Sequence, residues 1–74
     1  MHEGLTRREV EVIRELLAGQ SNKEIGRALG IQEQTVKNTV SRILAKLNLQ
    51  DRLQVALYAR DTQLLDRYAR LLGE

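Results

Sequence analysis

Gln34, Lys37, Asn38, Ser41 and Ala45 fall on one face of a 3.6-residue helical repeat. Amides, a hydroxyl and an ammonium at that spacing suit hydrogen bonding to the edges of nucleobases, and no bulky side chain stands in the way. The opposite face holds Val36, Val40, Ile43, Leu44 and Leu47, and no acidic residue occurs between Gln34 and Gln50. An ordinary surface helix would scatter Glu and Asp over its wet side. The segment can therefore be drawn as one helix with an aliphatic flank to bury and a polar, cationic flank to present.

Other chemistry is poorly provided for. The only histidine is His2, there is no cysteine, and no glycine-rich phosphate loop or His/Asp/Glu metal spacing occurs. Glu9, Glu11 and Glu15 form a carboxylate cluster, but Arg7, Arg8 and Arg14 interleave with them, which reads as a solvated ion-pair surface. We expect no enzyme, no metal and no cofactor.

Charge is localised rather than large. The net charge is +2 over 74 residues. Residues 1–33 carry five cations against six carboxylates, residues 34–60 five against Asp51 alone, and residues 61–74 two against three. A cationic middle third between faintly acidic ends is an electrostatic footprint for nucleic acid. The N-terminus lacks an apolar run of signal-peptide type, and no stretch approaches the roughly 18 apolar residues of a membrane span. The expected location is the cytoplasm, with no membrane partner.

The elements that must position these residues are marked by punctuation. A chain this short is one domain that buries only about 60% of its unfolded surface, and its Leu, Ile, Val and Ala suit packed helices. Thr6 with Glu9 is a capping box. The first helix then runs to about Ala18 with Val10, Ile13, Leu16 and Leu17 inward, and Gly19 is its left-handed stop. Ser21 with Glu24 repeats the device for a short helix carrying Ile25, Ala28 and Leu29 and ending at Gly30. Gly26 inside it costs about 1 kcal/mol in helix propensity, for which close approach of another helix backbone would compensate. Ile31 to Gln34 makes a turn before the third helix, and Asn48 is placed to end that helix left-handed. Asp51 caps a fourth helix with Leu53, Ala56 and Leu57. Helix, glycine stop, short turn and longer helix are the grammar of the helix-turn-helix.

Four stretches now carry a resemblance. Leu5-Thr6-Arg7-Arg8-Glu9-Val10-Glu11-Val12, Ser21-Asn22-Lys23-Glu24-Ile25, Thr35-Val36-Lys37-Asn38 and Ile43-Leu44-Ala45-Lys46-Leu47 closely resemble the LuxR/NarL/GerE-type DNA-binding domain, over about residues 5–60 and in order. The resemblance implies an all-α fold: a four-helix helix-turn-helix domain over 5–60, here preceded by a leader at 1–4 and followed by a helical extension at 61–74. It also implies sequence-specific binding to double-stranded promoter DNA by a transcription regulator or the effector domain of a response regulator. Such proteins usually act as homodimers joined through fourth helices, with RNA polymerase a further candidate partner.

By position, Lys37, Asn38 and Ser41 match the family's base-reading sites. Thr35, Arg42 and Lys46 match places where phosphate is held. Asn22 and Lys23 open the second helix, whose amino end faces the DNA backbone, though Asn22 can equally be a helix cap. Base chemistry fits this allocation, since Lys37 can donate to guanine O6 or N7 and Asn38 can grip adenine with both amide atoms. Two positions depart from the pattern. Thr39 stands where many relatives have His, which bears on a flanking contact or on packing. Gln32 stands where a Ser or Asn cap is usual, weakening the helix start by up to about 1 kcal/mol unless Glu33 helps through the helix dipole.

Beyond residue 60 the resemblance thins. Asp61-Thr62 can cap a fifth helix, or the fourth can continue through them. Leu64, Leu65, Tyr68, Leu71 and Leu72 form an apolar stripe that can fold back on the chain's own core, pack on a second copy, or fray. The dimer contact is expected at Leu53 and Leu57, extended by Leu64, Leu65 and Tyr68. The competing function is a protein-interaction module, either a helix-turn-helix without DNA affinity or a relative of sigma-factor region 4, which shares the Glu-Ile, Gly-Ile and Thr-Val-Lys signature. A fourth helix from Leu47-Asn48-Leu49 through Arg52 and Ala56, together with the acid-free stretch, favours the DNA reading.

Overall fold

The structure is a computed structural model that describes residues 3–73, so His2 lies outside the described residues. Five helices follow in order: α1 (Arg7–Leu17), α2 (Asn22–Leu29), α3 (Glu33–Leu47), α4 (Arg52–Asp61) and the single turn α5 (Leu64–Arg67). Both capping boxes form: Thr6 Oγ1 accepts from Glu9 N–H at 3.2 Å and Ser21 Oγ from Glu24 N–H at 3.1 Å, with each glutamate reaching back to its cap residue. Asp51 Oδ1 accepts from Gln54 N–H at 3.0 Å and starts α4. Gly19, Gly30 and Asn48 all take positive φ at the helix ends. The third helix therefore stops at Leu47, short of the Gln50 to which its polar pattern extends.

The core is built around α1, which packs against α2, α3 and α4. It buries Val10, Val12, Ile13 and Leu16, while Leu17 is only half-buried. Against them lie Ile25, Val36, Ile43, Val55 and Ala59. The apolar residues of α2 and α4 divide between core and surface. Ala28 is exposed, because α2 is covered only along the line of Ile25, Gly26 and Leu29. In α4 the core side is Val55 and Ala59, and Leu53 stands outside it at 65% exposure.

The tail folds back. Thr62 ends α4, its hydroxyl donating to Tyr58 O at 2.7 Å, and Gln63 at φ 52° reverses the chain into α5. Asp61 and Thr62 thus cap nothing beyond α4; α5 begins without a side-chain cap. Leu64 and Tyr68 are buried at 0% and 2% exposure in the domain's own core, so neither is on the surface to meet a second copy. Leu65 and Leu72 pack half-buried against the same core.

The leader is fastened to that tail from Glu3 on. Arg67 donates to both Glu3 carboxylate oxygens at 3.0 and 2.8 Å, and the Tyr58 and Tyr68 hydroxyls donate to them as well. The Arg67 guanidinium, with the two phenols, holds the Glu3 carboxyl far below the usual carboxylate range against the opposing effect of burial.

Gly26 has a steric reason, and the turn contributes more to it than the following helix. A Cβ there would stand 2.7 Å from Ile31 O in the turn, the tightest approach, and 3.6 Å from the backbone N of Glu33 at the start of α3. Ile31 N–H is bonded to Gly26 O at 2.9 Å, which holds the turn close to the glycine. Gly26→Ala should therefore destabilise the domain by about 1–2 kcal/mol despite the better helix propensity; an equal or higher urea midpoint would contradict the clash. Glu3→Gln should cost about 1–2 kcal/mol at pH 7. Because the folded-state pKa of Glu3 is depressed, its contribution is complete above the unfolded pKa near 4.5 and is lost as pH falls below it. Melting curves of the two proteins should converge as pH drops from about 5 towards 2; a gap that stays constant would remove Glu3 from the account.

Candidate nucleic-acid interface

The turn Gly30–Gln32 brings the chain into α3 without a side-chain cap at Gln32, leaving Glu33 in the first turn to meet the positive end of the helix. Val36, Thr39 and Ile43 are buried, and Val40, Leu44 and Leu47 are half-buried against the core. That anchoring leaves Gln34, Thr35, Lys37, Asn38, Ser41, Arg42, Ala45 and Lys46 exposed. Lys37, Asn38 and Ser41 thus share one exposed strip. Gln34 Nε2 donates to Asn38 Oδ1 at 3.1 Å; an amide oxygen has a second lone pair, so Asn38 keeps both an acceptor and its donors for a base.

Thr39 belongs to packing. It is fully buried, its hydroxyl donates to Thr35 O at 2.8 Å, and Arg42 Nη2 donates to it at 3.2 Å. A buried hydroxyl thereby steadies one of the two cations beside the exposed strip. The other cation, Lys46, is committed more deeply. Its Nζ donates to Glu9 Oε1 at 2.8 Å and to Gly4 O at 3.0 Å, so one of its three donors remains for anything else. Arg42 Nε stands 3.7 Å from the second oxygen of the same carboxylate.

Glu9 accordingly corrects the sequence reading. It is 2% exposed, not part of a solvated ion-pair surface. Glu11 pairs with exposed Arg7 at 3.4 Å and Arg8 at 3.5 Å, its own side chain 17% exposed. Burial alone would raise the Glu9 pKa, but the Lys46 ammonium and the Thr6 amide outweigh it and hold the carboxyl below its ordinary value. The capping box announces Glu9, yet nothing local announces a partner 37 residues away.

At the amino end of α2, Lys23 is exposed and lines a cleft with Arg27, Gln32 and Glu33 between α2 and the start of α3. Asn22 is half-buried, and its Oδ1 accepts from Arg52 Nη1 at 2.7 Å, so it is not the helix cap; Ser21 is. In the sequence Arg52 enters as a charge in the middle third and as part of the fourth-helix pattern, and neither points to Asn22. Leu53 and Leu57, one turn apart on α4, are 65% and 40% exposed. Of the five expected dimer residues, these two and half-buried Leu65 reach the surface. Among the described residues, no group of three His, Cys, Asp or Glu side chains is arranged to hold a metal ion, and no helix is long and apolar enough to cross a membrane.

Comparison with known proteins agrees with this geometry. The family GerE, described as bacterial regulatory proteins, luxR family, matches residues 3–59. The chain is 58% identical over 55 residues to an uncharacterized transcriptional regulatory protein, YhcZ, of Bacillus subtilis (strain 168), covering 74% of this chain and 26% of that protein. It is 45% identical over 65 residues to the transcriptional regulatory protein LiaR of the same organism, covering 88% and 31%. It is 48% identical over 59 residues to the response regulator protein VraR of Staphylococcus aureus (strain COL), covering 80% and 28%. The chain therefore spans about a quarter to a third of the length of these relatives. It belongs to the luxR family of bacterial regulatory proteins, and its helix-turn-helix is that of a DNA-binding transcription regulator.

Proposed function

We propose that this regulator lays α3 in the major groove, with Lys37, Asn38 and Ser41 on base edges. Lys23, Thr35, Arg42 and the amide of Asn22 then meet the flanking phosphates, and Lys46 adds its one remaining donor. The observation that carries this reading is the exposed strip of α3: donors and acceptors without a carboxylate among them, on a helix whose other flank is sealed in the core. Base contacts of this kind select sequence, whereas the phosphate contacts set register.

The same reading takes residues 5–60 as the DNA-binding unit of a longer regulator of the response-regulator type, with 61–74 closing its core. Two copies would meet through Leu53 and Leu57 of α4, presenting one α3 to each of two half-sites in cytoplasmic promoter DNA, within reach of RNA polymerase. Two leucines one turn apart on α4, Leu53 at 65% and Leu57 at 40% exposure, support that assembly.

Operators selected from random duplexes supply the measurement. Lys37→Ala or Asn38→Ala should reduce discrimination between selected and random DNA by about 1–3 kcal/mol. Lys46→Ala should weaken both DNAs alike and also lower the melting temperature, since Glu9 loses its partner. With Lys23, Arg42 and Lys46 on phosphate, log K should fall against log salt by about 0.9 per cation in each protomer. A selected-to-random ratio untouched by Asn38→Ala would refute the placement of α3.

Leu53→Glu should leave the monomer folded, because the side chain is 65% exposed. On a duplex bearing both half-sites it should bind as independent single protomers where the native chain binds cooperatively. Retained cooperativity would move the dimer contact elsewhere.

A further inference from the structure

Arg52 joins the first residue of α4 to the amino end of α2. Its Nη1 donates to Asn22 Oδ1 at 2.7 Å and its Nη2 to Gln20 O at 2.7 Å. A guanidinium has donors and no acceptor. It therefore fixes which way the Asn22 amide faces: the oxygen must turn towards Arg52, and the NH2 group must turn away. Left alone, that side chain would rotate freely about its terminal torsion and present oxygen as often as nitrogen. An oxygen facing a phosphate repels it, whereas an NH2 group donates to it.

We propose that Arg52 is a positioning residue for DNA binding, acting through Asn22: it locks the amide so that Nδ2 donates to the DNA backbone, and it does not itself touch DNA. The inference rests on the reading that the amino end of α2 faces phosphate, a placement consistent with exposed Lys23 beside the start of α3. The bond to Gln20 O fixes the guanidinium from its second arm, so the lock does not depend on Asn22 alone. Charge adds to geometry, since a cation behind the amide oxygen polarises the amide and strengthens its N–H donors.

The test is a double-mutant cycle read by anisotropy on a fluorescein-labelled random-sequence duplex, at a temperature below the melting transition of every variant. Asn22→Ala and Arg52→Met should each raise Kd about threefold to tenfold, and the double variant should be no weaker than the worse single variant. The slope of log K against log salt should be the same for Arg52→Met and the native chain, because a guanidinium that touches no phosphate releases no counterion. A slope reduced by about 0.9 would mean that Arg52 grips phosphate itself, and a double variant with multiplied losses would mean that the two residues act independently; either result overturns the proposal. Unchanged Kd in Arg52→Met with a lowered melting temperature would leave Arg52 a purely structural role. Unchanged Kd in Asn22→Ala would instead remove the amino end of α2 from the DNA, so failure of the underlying reading is distinguishable from failure of the lock.

Discussion

A carboxylate sealed inside a domain of this size is costly unless every lone pair finds a partner, and Glu9 is such a group. Thr6 N–H and Lys46 Nζ both reach its Oε1 at 2.8 Å, and Arg42 flanks the other oxygen. One residue thus closes the capping box of α1, ties the last turn of α3 to the first turn of α1, and, through Lys46 and Gly4 O, holds the leader. Breaking one partner of a buried pair leaves the other charge stranded, which costs more than the pair ever contributed. The tilt of α3 on the core, and hence the direction its polar strip faces, depends on this junction.

The remaining stability comes from closing the far side. With no disulfide and no aromatic side chain but two tyrosines, the core needs more aliphatic contact than four helices of this length supply. Leu64 and Tyr68 supply it, and the Gln63 reversal is what allows them to return. Glu3 then fastens the two ends together by accepting from Arg67, Tyr58 and Tyr68. Between Glu3 and Gly73, leader and tail are therefore parts of one packed body, although the family match ends at residue 59.

What the sequence makes legible is local. Thr6 with Glu9, Ser21 with Glu24, Gly30, Asn48 and Asp51 act over three or four residues, and each stands where its spacing places it. The two faces of α3 are legible for the same reason, since a helix repeats within its own length. Partnerships across the fold are not. Glu9 with Lys46, Arg52 with Asn22 and Glu3 with Arg67 are separated by 37, 30 and 64 residues, and no periodicity encodes such distances. The α4 helix fails differently: Leu53 and Leu57 on one face and Val55 and Ala59 on another are both apolar, so composition cannot say which face the core takes. The tail stripe poses the same ambiguity, resolved by Leu64 and Tyr68 turning inward.

These junctions also shape how the domain meets DNA. Lys46 uses most of its donors inside the molecule and Arg42 leans on Thr39 and Glu9, so fewer cations are free than the charge of the middle third suggests. Affinity that comes from counterion release grows with the number of phosphates neutralised. With α3 placed as proposed, a domain that commits its cations to its own architecture would bind random DNA weakly as a single copy and would rely on amides and hydroxyls at base edges to choose a sequence. Joining two such copies through α4, as proposed above, would recover affinity without adding cations to either, because the second recognition helix would then be delivered at high effective concentration to its own half-site. On that proposal, the cations held back to fix α3 would be compensated by the partner copy rather than by further charge on either protomer.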